Sequence, residues 1–259
     1  MIAITVQNRL MDIIERRAMP RLAREFVRLG RASAKGYRDG GPPGALSALP
    51  EHAKNITDIL TPLWSESIKT FGHLAVDSME KSWAPLREEK ALPDPTEVAI
   101  VEWIARWGLG HVKDIVGTSQ ALILESITQA VVTDASVASV SQSIQQTMTS
   151  VSRHRSVTIA RTETHGAAMY GSEAGARSTE LTLAKEWRPA EDSRTRSGHA
   201  SMLDTRVGLD SKFSVPPSTE GADDRAVMDR PGDPTAPAGQ VINCRCVLTY
   251  TEVSYGQDQ

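Results

Sequence analysis

The feature that most limits the fold is a change of character near Ser178. Before it, apolar residues recur every three or four positions, the period of a helix with one buried face. After it, the apolar runs are short and alternating, at 181–187, 211–215 and 241–250, with Pro- and Gly-rich loops between them. Helices first and short strands last predict an α+β fold: a mostly helical N-terminal region followed by a small loop-rich α+β domain.

Within the helical region, Leu10, Ile13, Ile14, Leu22, Phe26 and Leu29 predict a helix over 3–34, kinked or divided at Pro20. Four Gly and three Pro between Gly36 and Pro50 predict little regular structure there. A second helix is expected over 51–83, where Pro62 either follows a new cap at Thr61 or marks a kink. Asp94, Pro95 and Glu97 read as a capping box opening a helix that ends near Gly108 and Gly110. Further helices are expected at 119–132, at 134–150 with Asp134 as cap, and at 156–176. The predicted organisation is a basic helical arm at 1–38, a linker at 39–50, a helical domain at 51–150 and a C-terminal domain at 151–259.

Charge is unevenly spread. The chain carries a net charge of −3, yet residues 1–38 hold nine Arg and Lys against three Asp and Glu. Arg9, Arg16, Arg17, Arg21, Arg24, Arg28 and Arg31 can therefore meet DNA phosphates without sequence preference, or dock on an acidic protein partner. Equally, they can be a solvated helix face. No apolar run approaches 18 residues, so no helix is expected to span a membrane. The apolar start is too short for a secretory signal core, which predicts a protein kept in, or packaged from, a cytoplasm.

The densest chemistry lies in two distant stretches, 185–199 and 231–246. Asp192, Arg194, Thr195, Arg196 and His199 fall in the first, Cys244 and Cys246 in the second. Asp192, Arg196 and His199 share one face if the segment is helical, and that set suits either acid–base chemistry or a polar network fixing a small domain. Cys244 and Cys246, at i and i+2 on an expected strand, face one side. With His199 they make three of the four ligands that a structural zinc takes, Asp192 or His165 being candidates for the fourth. The alternative is a pair of buried thiols against Trp187, with His199 satisfied by a hydrogen bond and no cofactor bound. Arg161 and Glu163, two apart on an Ala-rich helix, cannot pair with each other. They are expected to dock that helix on the small domain, Arg161 within reach of Asp192. No nucleophile elbow, P-loop, dinucleotide fingerprint or His-Glu-x-x-His is present, and no residue is assigned a catalytic role.

Taken in order, Ala-Arg-Thr-Glu (160–163), Lys-x-Trp (185–187), Asp-x-Arg-Thr-Arg-x-x-His (192–199), Pro-Gly-Asp-Pro (231–234) and Asn-Cys-Arg-Cys (243–246) resemble the phage Mu F-like head morphogenesis family. The resemblance covers roughly 155–250. It departs after Leu203-Asp204, where Thr205 stands in place of the usual Gly. The resemblance implies a minor head protein of a tailed phage: a structural, non-enzymatic virion component made in the host cytoplasm. Its implied place is near the portal, in head assembly or genome delivery, with the portal protein and other capsid proteins as partners. Because similar domains also occur fused to toxins, a nuclease or transferase built on Asp192, Arg196 and His199 is the alternative, and a nonspecific DNA-binding module a third.

Overall fold

The structure is a computed structural model and describes residues 4–83, 95–133, 135–179 and 181–253. Five helices come first: α1 (Ile4–Leu46), α2 (Leu49–Trp83), α3 (Pro95–Trp103), α4 (Leu109–Val132) and α5 (Val137–Ser178). A π-helical turn, Ile104–Gly108, precedes α4. Then come β1 (Leu183–Arg188), the short α6 (Ser197–Ala200), β2 (Arg206–Gly208), β3 (Phe213–Val215), β4 (Ala226–Met228), the short α7 (Ala238–Val241) and β5 (Val247–Glu252). The class is α+β.

Several expected boundaries shift. The Gly/Pro-rich segment is not an unstructured linker: α1 runs to Leu46, broken only at Gly40 and Gly41. Gly41 takes a φ of 62°, open to glycine without strain. Pro42 and Pro43 then supply the fixed φ that suits a first helical turn. Gly36 and Gly44 meet backbone to backbone, since a Cβ on Gly36 would lie 2.0 Å from the Gly44 carbonyl oxygen. The composition thus encodes a tight helical corner. Pro62 does not end α2. Its missing N–H leaves the Asp58 carbonyl without a helical donor, and Arg21 Nη2 donates to that carbonyl at 3.3 Å. The expected helices at 134–150 and 156–176 are one, α5. Asp94 and Asp134, expected as caps, lie outside the described residues.

The chain forms two compact units that interleave in sequence, in place of an arm, a linker and two successive domains. One is wholly helical and comprises residues 15–63 and 104–160. Leu22, Phe26, Leu29, Ile56, Leu60, Ile123, Ile144 and Met148 fill its core. Of the arm's expected apolar stripe, Ile14, Leu22, Phe26 and Leu29 are buried, while Leu10 is half-buried and Ile13 exposed.

The other unit comprises residues 1–14, 64–103 and 161–259. Its axis is the second half of α5, buried on every side from Glu163 to Met169, as a central helix must be. Against it packs α2 at backbone contact. A Cβ on Gly171 would sit 2.4 Å from the Ile68 oxygen, and one on Gly175 2.2 Å from the Gly72 oxygen. A three-stranded antiparallel sheet has the order β2-β1-β5, with Lys185 opposite Val207 and Tyr250. β3 and β4 form a separate antiparallel pair. Leu183 on β1 packs with Ala75 and Met79 of α2 and Ala176 of α5.

Candidate functional site

Trp187 anchors the site. Fully buried on β1, its ring stands edge-on to Phe213 (5.4 Å) and to His199 (5.3 Å). His199 lies in α6 and is also buried. Its Nδ1 is 3.5 Å from Cys244 Sγ and 3.4 Å from Cys246 Sγ. Both cysteines are buried and unbridged. The three side chains singled out from sequence therefore meet, although 45 residues separate His199 from Cys244. They do so differently from the expected strand. β5 begins only at Val247, so the cysteines occupy the loop before it. Asn243, with φ 58°, turns the chain just ahead of them.

The far side of the imidazole settles its tautomer. His199 Nε2 is 2.7 Å from Gln240 Oε1. The Gln240 amide cannot be turned round, because its Nε2 donates to two carbonyls, Pro216 O (2.9 Å) and Asp224 O (2.7 Å). Gln240 thus offers an acceptor, His199 Nε2 carries the hydrogen, and Nδ1 presents a bare lone pair to the two sulfurs. Burial raises the Cys244 thiol, but the hydrogen bond from Cys246 leads the opposing contributions, which hold Cys244 well below its ordinary value. Donating to Cys244, together with burial, pushes Cys246 well above.

Asp192 has a different role from the one expected. The segment 192–199 is not one helix, because α6 spans only a turn from Ser197. Asp192 instead caps a turn, accepting from Arg194 N at 3.0 Å and Thr195 Oγ1 at 3.3 Å. Arg245, between the two cysteines, donates to both of its oxygens at 2.6 and 2.5 Å. This guanidinium, helped by the Arg194 N–H, lowers the Asp192 carboxyl to about 2. Arg194 Nη2 stands 3.6 Å from Asp192, and Arg196 donates to the Ile242 carbonyl. The two stretches are thus clipped together by charge at the rim as well as by His199 and the thiols inside. After α6, Asp204 takes a φ of 61°, and the Thr205 carbonyl accepts from Trp187 N at 2.9 Å.

α5 holds the loop through Thr162, whose role sequence reasoning passed over, and through His165, which it offered as a fourth metal ligand. Thr162 Oγ1 accepts from Asn243 N at 3.2 Å, and His165 Nε2 donates to the Cys246 carbonyl at 2.7 Å. His165 therefore fixes the backbone at Cys246 and is not a fourth ligand. Asp192, committed to Arg245, is not one either. Glu163 reaches α2 instead, accepting from Trp64 Nε1 at 2.9 Å, while Arg161 is half-buried on the same helix. The Pro-Gly-Asp-Pro turn lies against α5: Gly232 has a φ of 72°, and a Cβ there would fall 2.6 Å from His165 Nδ1. Asp233 closes that turn by accepting from Asp229 N (2.8 Å) and Thr235 N (2.9 Å).

A second buried constellation was also missed. Glu173 on α5 meets Arg177 at 2.7 Å, Arg230 at 3.0 Å and Lys185 at 3.4 Å. Burial alone would raise its carboxyl, but the charges of Arg230, Lys185 and Arg177 hold it below the usual value. Lys185 is fully buried, and burial lowers its ammonium below the ordinary value despite Glu173. Sequence did carry a signal here: Lys185 sits on the same strand face as Leu183 and Trp187.

Among the arginines of α1, Arg9, Arg16, Arg17, Arg21, Arg24 and Arg31 are exposed. Arg28 is half-buried and pairs with Glu25 (2.7 Å) and Glu51 (3.1 Å). Among the described residues, no helix is long and apolar enough to cross a membrane.

Comparison with known proteins places this site in context. Residues 121–249 match the family model described as phage Mu protein F like protein. The match starts in α4, upstream of the stretch whose motifs carry the resemblance. The chain is also 22% identical over 151 residues to the uncharacterized protein YqbB of Bacillus subtilis (strain 168). That alignment covers 58% of this chain and 47% of YqbB, so the chain spans about half of that relative's length. No solved structure matches.

Proposed function

This chain belongs to the phage Mu protein F like family, its match running from 121 to 249, and we propose that it is a minor head protein that acts near the portal in head assembly or genome delivery. The observation that carries this reading is where the chemistry points. His199, Cys244, Cys246, Glu173, Lys185 and Arg230 are all buried, and each is bonded to another element of its own unit. Side chains spent in this way tie the loop-rich segment after Ser178 to α5 and to its own strands, as a segment with few large apolar residues requires. A hydrolase or transferase instead needs such groups to converge on a cleft that a substrate enters. The partners in this reading are the portal protein and other capsid proteins. Co-expression with the portal and major capsid proteins of the same phage tests it: the chain is expected to co-sediment with portal-containing assemblies. If it sediments alone at every ratio while those assemblies form normally, the head role is wrong.

The exposed arginines of α1 are the surface best suited to a polyanion, either packaged double-stranded DNA or an acidic face of a head protein. Deleting residues 1–38 does not test this cleanly, because Leu22, Phe26 and Leu29 are core. Reversing Arg16, Arg24 and Arg31 to Glu leaves that core intact. If they meet DNA, affinity is expected to fall without sequence preference. The slope of log K against log salt should then shrink by roughly 0.9 for each phosphate no longer neutralised. An unchanged salt slope in the triple variant assigns the face to protein.

A further inference from the structure

We infer that His199, Cys244 and Cys246 form a metal centre that takes zinc. This goes beyond the head role and does not depend on it. Three observations carry it. First, the donor atoms all lie within 4.8 Å of one another, and all three residues are buried. The two nitrogen–sulfur separations, 3.5 and 3.4 Å, match the edge of a tetrahedral zinc site. Zinc–sulfur and zinc–nitrogen bonds of about 2.3 and 2.0–2.1 Å at a tetrahedral angle put N and S about 3.5 Å apart.

Second, the imidazole is already set for coordination. Gln240, locked by two carbonyls, fixes the hydrogen on Nε2 and leaves the Nδ1 lone pair facing both sulfurs. A metal-bound histidine characteristically shows this arrangement, its second nitrogen donating to an oxygen that fixes the ring. Without a cation, two thiols converge on one lone pair, which accepts a single S–H. A dication engages all three donors at once, and with two thiolates and a neutral imidazole the buried centre carries no net charge.

Third, the buried indole N–H of Trp187, edge-on to His199, has no oxygen or nitrogen acceptor and is left to the sulfur of Cys246. A buried donor turned to sulfur in this way is what an anionic sulfur cluster uses. The donor set of two sulfurs and one nitrogen selects zinc over magnesium or calcium, which prefer oxygen. The same residues line a cavity of about 10 Å³, close to the smallest space that holds one water. A solvent ligand held there would complete four-coordination.

Metal analysis and cobalt substitution of the full-length chain, purified reduced, without chelator and free of any histidine tag, provide the test. About one zinc per chain is expected. Replacing it with cobalt should give the thiolate-to-cobalt charge-transfer band and the visible bands of a tetrahedral site. Removing the metal with a strong chelator should lower the melting temperature, and zinc, not magnesium, should restore it. Reading wild-type protein avoids variants that fail to fold. A protein that purifies folded without zinc, gives no cobalt–thiolate band and melts at the same temperature with and without added zinc overturns the inference, leaving two thiols and a hydrogen-bonded histidine.

Discussion

Glu173→Ala is expected to unfold the unit that carries the candidate site, or to cost about 3–5 kcal/mol, the usual effect of removing one partner from a buried ion cluster. Glu173, Lys185 and Arg230 are 4%, 0% and 5% exposed, so the substitution strands two cations away from water. Glu173→Gln keeps the shape and loses the charge, and should be milder but still destabilising. Chemical unfolding of the purified variants measures both. The same carboxylate predicts a pH dependence. Its folded pKa lies below its ordinary value, so the stability it contributes is fully present above the unfolded carboxylate value of about 4.3 and is lost as pH falls through the depressed folded value. Asp192 acts in the same direction, its share being lost as pH falls towards about 2. Stability should therefore hold between pH 7 and 5 and decline below about 4. A chain equally stable at pH 3 and pH 7 would contradict this.

Gly175→Val is expected to be comparably damaging, for a steric reason. The added Cβ would lie 2.2 Å from the Gly72 carbonyl oxygen, a contact that only separation of α2 and α5 relieves. Overpacking of a core costs about 1–3 kcal/mol and more where backbone must move. Gly171→Ala, whose Cβ would meet the Ile68 backbone at 2.4 Å, should fall in the same range. Gly117→Ala in α4 is the control. Nothing lies within 4 Å of its added Cβ, and the helix should gain about 0.4–1 kcal/mol from lower unfolded-state entropy. Thermal melts of the three variants that fail to separate Gly117 from the other two would refute the close-packed helix pair.

Much of this fold can be read from the residues themselves. Ile14, Leu22, Phe26 and Leu29 repeat at helical spacing, and they are core. The corner at 36–50 could not be read so easily, because Gly and Pro serve a flexible linker and a backbone-tight corner alike. What distinguishes the two is the partner, Gly36 against Gly44, which spacing does not reveal. β2 and β4, three residues each, are too short to carry a period. The sheet order β2-β1-β5 pairs residues as far apart as Leu183 and Glu252, beyond the reach of local pattern. At the site, chemistry did what pattern could not: two cysteines and a histidine stand out by type and do meet. Gln240, Thr162 and Arg230 do not stand out, because polar residues in loops or on an Ala-rich helix look solvent-facing until the fold buries them. A helical projection misplaces Asp192, because the segment turns at Thr195 before one turn of helix begins.

Mass spectrometry of DNA-filled heads, purified away from tails and empty shells of the phage that encodes this chain, tests the head role most directly. The expected result is the chain at low, fixed copy number in the heads, scaling with the portal protein. Its absence from the particles, with the chain left soluble in the lysed host, would contradict that role.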